Sequence, residues 1–210
     1  MVAASLYDGP LPMRVFTTAC LLVGMTVAAS AQSPTTRIRG EVEKAESDTL
    51  IVKTVDGASA KVALASGYSV GGVIKATAAD IKKGGFIGVG ARPQPDGSLL
   101  AVQVFIFPEA MRGTGEGHRP WSVLPESTMT NATVAETVSR IDGANVMLTY
   151  PGGEQRVAIT PDANIIMAAP AQASELVAGA QVAMTATKQA DGSFTASRVT
   201  IAKPGAQLPY

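Results

Sequence analysis

The residue best equipped for chemistry in this chain is its single histidine, His118, and it sits among unusual company. The stretch Glu109 to Thr130 (EAMRGTGEGHRPWSVLPESTMT) also holds the only tryptophan, Trp121, with Arg112, Arg119, Glu116, Glu126, Ser122 and Ser127 nearby. His118 with Glu116 and the neighbouring carboxylate Glu126 offers at most a weak, oxygen-rich metal site. Transition-metal sites draw several nitrogen or sulfur donors, and there is no second histidine to supply one. The spacing of a calcium-binding loop is absent as well. No Gly-x-Ser-x-Gly elbow introduces Ser122 or Ser127, so a serine nucleophile has no frame. Trp121 flanked by Arg112 and Arg119 is the better interaction candidate, because an indole beside guanidinium groups anchors protein or glycan surfaces. The preferred reading is that Trp121 folds back over the junction between two small cores and leaves the arginines solvated.

Paired carboxylates are the next candidates. Asp80 with Glu175 and Asp96 with Asp191 stand at one common offset of 95 residues. That offset also places Asp96-Gly97-Ser98 on Asp191-Gly192-Ser193, Val62-Ala63-Leu64 on Val157-Ala158-Ile159, and Gly84 on Gly179. The pairs are therefore equivalent positions of a repeat, turn residues before they are an acid and a base. Gly84-Gly85-Phe86-Ile87-Gly88-Val89-Gly90 resembles a nucleotide fingerprint only on paper, since it leads into alternating strand sequence instead of a helix.

The elements that would carry these residues are short strands. Ile38, Gly40 and Val42 alternate with Arg39, Glu41 and Glu43, which is the two-residue period of a half-buried strand. Strands are expected over 38–45, 49–54, 61–64, 68–74, 86–91 and 99–107, and again over 133–141, 145–149, 155–159, 164–167, 181–187 and 194–201. Ala76 to Lys83 is the first copy's one short helix, stopped by Gly84-Gly85, and Ala171 to Ala178 takes its place in the second. The fold class expected is all-β: two tandem small OB-like β-barrels, each with one short helix. Closure of each barrel would remove the edges that so short a sheet exposes. The first barrel is expected over 36–108, a Gly/Pro-rich connector over 109–130, the second barrel over 131–202 and a loose tail over 203–210.

Residues 13–33 have a basic start at Arg14, an apolar run from Val15 to Ala29, and Ala29-Ser30-Ala31 as a processing site, the form of a secretory signal peptide ending at residue 31. Met13 is an alternative start. The only cysteine, Cys20, lies in that run and would leave with it, so neither disulfides nor thiol chemistry is expected in the mature chain. No later run is long and apolar enough for a transmembrane helix. With 17 basic and 17 acidic residues there is no general attraction to nucleic acid.

The order of Gly40-Glu41-Val42, Thr49 to Thr54, Asp56-Gly57, Ala79 to Gly84, Asp96-Gly97-Ser98 and Ala101 to Val104 resembles an uncharacterised bacterial family of secreted, often tandem, small β-barrel domains. Gly115 to Trp121 and Met129 to Val134 look like the connector of its proteobacterial members. The resemblance implies an exported protein and supplies no catalytic residues. The second copy departs from it, with Ala135 where the first has Gly40 and Pro151 where the first has Asp56. The expectation is thus a periplasmic or secreted, non-enzymatic binding or structural module of the cell envelope, with no cofactor and with an envelope protein or cell-wall component as partner. A metal-binding accessory protein and an enzyme with its site between the barrels are the alternatives.

Overall fold

The computed structural model describes residues 34–140 and 143–210; the signal-peptide segment expected over 1–31 lies outside them. Twelve strands form one continuous hydrogen-bonded sheet: β1 (Thr35–Glu46), β2 (Thr49–Thr54), β3 (Ser59–Lys75), β4 (Phe86–Pro93), β5 (Leu99–Ile106), β6 (Gly117–Pro120), β7 (Thr128–Arg140), β8 (Gly143–Tyr150), β9 (Gly153–Ile159), β10 (Asn164–Pro170), β11 (Gln181–Lys188) and β12 (Phe194–Ala202). Helical structure among the described residues is confined to single 3-10 turns at Ala78–Asp80, Glu109–Met111 and Ala173–Glu175. The expected helix over 76–83 shrinks to one such turn, because Thr77 caps it through Asp80 and Ile81 is already extended.

The alternation in β1 buries Ile38, Gly40 and Val42 and leaves Glu41 exposed, as its period dictates. β3 departs from expectation. The two strands expected over 61–64 and 68–74 are one bent 17-residue strand. It pairs in parallel with β12, with Leu64 opposite Ala196 and Ser69 opposite Arg198, so the residues between form a bulge that turns the strand without ending it.

β1, β2, β3, β12 and β11 close a five-strand barrel through antiparallel ladders and the one parallel β3–β12 ladder. Inside lie Val42, Leu50, Val52, Val62, Val182, Met184, Val199 and Ile201. This corrects the expected domain boundaries. The barrel takes three strands from 35–75 and two from 181–202, so it does not follow the expected boundaries 36–108 and 131–202, and the described residues show one closed five-strand barrel with seven further strands. The other seven strands continue the sheet. β7, β8, β9, β5 and β4 form a cycle of pairings whose last link is two residue pairs, Leu99 with Val157 and Leu100 with Ala158. A second apolar cluster, including Ile87, Val89, Val104, Val134, Leu148, Val157 and Ile159, fills this part. β10 pairs with β3 on one side and β5 on the other and ties the two parts together.

Two backbone crossings follow the same pattern. Gly84 N–H donates to Val134 O and Val134 N–H to Gly85 O, while Gly179 N–H donates to Val42 O and Val42 N–H to Ala180 O. Gly84 and Gly179 have φ of 80° and 88°, the left-handed exit from a 3-10 turn that a side chain would penalise. Each turn is followed by a strand that pairs far along the chain, β4 with β7 and β11 with β1.

The tail is not loose as expected over 203–210. Leu208 is buried, its carbonyl accepts from Arg39 Nη2 and from Asn164 Nδ2, and Tyr210 N–H donates to Gln103 Oε1 at 2.7 Å. Two otherwise idle side-chain donors explain why a Pro- and Gly-containing segment stays down.

Candidate functional site: an arginine-bearing aromatic cleft

Between the outer face of β1, β11 and β12 and the face of β4 to β7 runs a cleft of about 630 Å3. Its two walls differ in chemistry. The first carries Thr35, Arg37, Thr185, Thr187, Ser197, Arg198 and Thr200; the second carries Phe105, Phe107, Met111, Trp121 and Met129, with Arg119 at β6. Tyr210 contributes a further ring, edge-on to Trp121 at 6.2 Å. Among the described residues that line it there is no Asp, Glu, His, Lys or Cys.

The apolar wall follows from strand alternation and from two glycines. Phe105 and Phe107 meet edge to face at 4.7 Å, and Phe107 also approaches Phe86 at 5.3 Å. Gly90 in β4 leaves room for Trp121 to lie on the strand, and Gly88 leaves room for Asn131 and Phe107. The Trp121 backbone is fixed by Ser127, which accepts from its N–H and donates its hydroxyl to the carbonyls of Leu124 and Trp121. Ser127 is thus a turn residue, consistent with the missing nucleophile elbow.

The polar wall is set by register. Arg37 lies directly opposite Thr185, and β12, with Arg198, is the other neighbour of β11, so the two guanidinium groups spring from strands about 10 Å apart. Arg119 donates to the Gly115 carbonyl at 2.7 Å. The ion pairs among the described residues join Lys44 to Glu46, Arg112 to Glu109 and Lys203 to Glu175, and leave Arg37, Arg119 and Arg198 without a carboxylate partner. Desolvation, and after it the charge of Arg39, holds the Arg37 pKa below the usual guanidinium value.

The candidates from the sequence divide. Trp121 and Arg119 line the cleft. Arg112 does not: Glu109 holds it bidentately, its Nη2 donates to Gly84 O at 2.8 Å, and it stacks at 5.9 Å over Phe86. It ties the segment 109–112 to β4 as a structural clamp. His118 lies in β6 opposite Thr130, hydrogen-bonded through Nδ1 to its hydroxyl at 2.7 Å and stacked 6.3 Å from Tyr150. Burial lowers its pKa from the ordinary 6.5. Among the described residues no group of three or more His, Cys, Asp or Glu is gathered for a metal, so His118, Glu116 and Glu126 do not form a three-ligand set. The connector expected to be loop throughout is partly strand, because β6 adds to the edge of β7.

Asp96 and Asp191 each accept from the N–H and hydroxyl of the serine two residues on, Ser98 and Ser193. They are turn formers in separate hairpins, and those bonds hold both pKa values below the ordinary carboxylate value. Sequence reasoning missed Arg37, Arg198, Phe105, Phe107 and Tyr210 as one group. They come from β1, β12, β5 with the residue that follows it, and the tail, and only the tertiary structure puts them on one cleft. No helix of the described residues is long and apolar enough to cross a membrane. No family model, curated protein or solved structure matches this chain.

Proposed function

We propose that this chain is an exported, non-enzymatic binding module of the cell envelope, and that its ligand occupies the cleft between the arginine wall and the aromatic wall. The observation that carries the reading is the lining itself: Arg37 and Arg198, without carboxylate partners among the described residues, facing Phe105, Phe107 and Trp121, with Arg119 beside the rings, in a concavity of the size small-molecule sites have. General acid–base or nucleophilic work needs a group that gives or takes a proton near neutral pH, and the side chains on this cleft favour binding over such chemistry. The signal-peptide pattern of residues 13–33 supports export.

The architecture in this reading is a duplicated OB-like barrel in which one copy's last two strands have changed places with the other's. The second barrel, strands β4 to β9, is then inserted between the third and fourth strands of the first. The 3-10 turns at Ala78–Asp80 and Ala173–Glu175 and the starts of β4 and β11 keep the offset of the sequence repeat, which supports duplication. The cleft arises because insertion sets two barrel faces against each other.

The test is thermal unfolding of the mature protein with a small-molecule extract of bacterial envelopes, since a ligand of the native state raises its melting temperature. The extract is expected to stabilise the wild type and not Thr185→Trp, whose indole fills the polar side of the cleft. Equal shifts in both proteins, or none in either, would refute a cleft ligand.

A further inference from the structure

The two walls of the cleft ask different things of a ligand, and together they narrow its class. Arg37 and Arg198 rise from a surface on which hydroxyl side chains predominate, Thr185 and Thr200 among them, beside Ala183 and Met184, with no acidic residue among the described residues to neutralise them. In a chain whose formal charge is zero overall, such a concentration of cations is local, and it sits where field lines converge between low-dielectric walls. Arg37 feels the charge of Arg39 as well, a repulsion that an anion would relieve. The facing wall offers Phe105, Phe107 and Trp121 and no charge except Arg119 at its rim.

We propose that the cleft binds a small amphiphilic anion, its carboxylate or phosphate head held by Arg37 and Arg198 and its apolar body laid against Phe105, Phe107 and Trp121. The proposal rests on the reading of the cleft as the binding site. Charge complementarity fixes the head. Guanidinium groups take carboxylate and phosphate through paired N–H donors, and the hydroxyls beside them supply further bonds. The aromatic wall fixes the body, since rings bury large apolar area with little loss of side-chain freedom. An extended peptide fits less well. Strand addition requires the free N–H and C=O groups of a sheet edge, whereas both walls here are sheet faces whose strands are paired on both sides in β4, β5, β7, β11 and β12.

Trp121 is the chain's only tryptophan and lines the cleft, so its fluorescence reports occupancy without a label. The mature protein is titrated with decanoate, decyltrimethylammonium and decanol below their aggregation concentrations, with melting temperature as a second readout. Decanoate is expected to bind about ten-fold or more tighter than either analogue, in a salt-sensitive manner. Arg37→Gln with Arg198→Gln is expected to remove that preference, while Lys53→Gln, on the exposed side of β2, keeps it. Equal binding of the three decyl compounds, or a preference that survives the double substitution, overturns the anionic head and leaves the cleft as a binding site. Failure of all three while the envelope extract still stabilises the protein overturns the amphiphile alone. Failure of the extract as well brings down the cleft reading.

Discussion

Gly90 lies directly beneath the indole of Trp121: a Cβ built on Gly90 would fall 2.6 Å from Cη2 and 2.8 Å from Cε3. Gly90 is buried in β4, opposite Gln103 on β5 and Met129 on β7, so the strand itself cannot move aside. Gly90→Ala is therefore expected to lift the ring off the strand and shift the Trp121 emission maximum. The stability cost is about 1–3 kcal/mol, the usual penalty of overpacking. An unchanged emission spectrum would show that the ring does not rest there in solution.

Gly40 and Ala135 stand at the common offset of 95 residues yet face different demands. Gly40 pairs with Thr54, and a Cβ there would lie 2.8 Å from Thr54 Cα and closer still to the Lys53 carbonyl oxygen. Ala135 is skipped by the ladder, Val134 pairing with Leu148 and Glu136 with Met147, so it occupies a bulge with room for its methyl. Urea denaturation is expected to show Gly40→Ala destabilised by about 2 kcal/mol and Ala135→Gly by about 1 kcal/mol or less.

The two apolar clusters make different demands on fragments of the chain. Every member of the apolar cluster that fills the second part lies between Ala76 and Ile165, whereas the barrel core needs both 38–64 and 176–201. Residues 76–170 expressed alone are expected to fold, with dispersed amide resonances and a cooperative urea transition. Residues 36–108, one sequence repeat, are expected to lack both.

Acid weakens the fold in two windows. Burial lowers the His118 pKa from 6.5, so unfolding takes up a proton there and stability declines as pH falls from 6.5 toward the folded value. Asp80, Asp96, Asp191 and Glu175 are lowered by their hydrogen bonds, to Thr77, Ser98, Ser193 and Lys203 respectively. Their contribution is complete above the ordinary values of 3.8 for Asp and 4.5 for Glu and is lost as pH falls through the folded ones. Denaturation midpoints measured from pH 7.5 to pH 3 should show both declines, and His118→Gln should abolish the first.

The tail lines the cleft through Pro209 and Tyr210. Arg39 lies 4.9 Å from the Tyr210 ring and donates to Leu208 O, and the buried Asn164 amide donates to the same carbonyl. Deleting 204–210 strips that amide of its acceptor and uncovers the Gln103 side chain, an expected loss of about 1–3 kcal/mol. A midpoint equal to that of the full chain would mean that these bonds add nothing.

Much of the local structure was legible because it depends on local chemistry. The alternation of Ile38, Gly40 and Val42 forced a strand, Asp96-Gly97-Ser98 forced a turn, and Gly84 forced an exit that no side chain could make. Three readings failed where long-range packing decides. β3 runs through its bulge because β12 pairs with both of its halves, the tail is held by Arg39, Asn164 and Gln103, and Arg112 is spent on Glu109 and Gly84. The candidate site was half legible. Trp121 and Arg119 stood out by type, but Arg37 and Arg198 looked like ordinary charged residues of exposed strand faces.

By itself, the sequence determined the all-β class, the positions of nearly every strand and their common offset, since strand period and turn residues act over a few positions. Which strand pairs with which was left to the tertiary structure. Strand edges expose the same backbone donors and acceptors whatever their sequence, so pairing is decided by packing between segments far apart in the chain, which lays β4 on β7 and β11 on β1. The cleft likewise draws Arg37 and Arg198 from one set of strands and Phe105 and Trp121 from another part of the chain, a juxtaposition that local sequence does not encode.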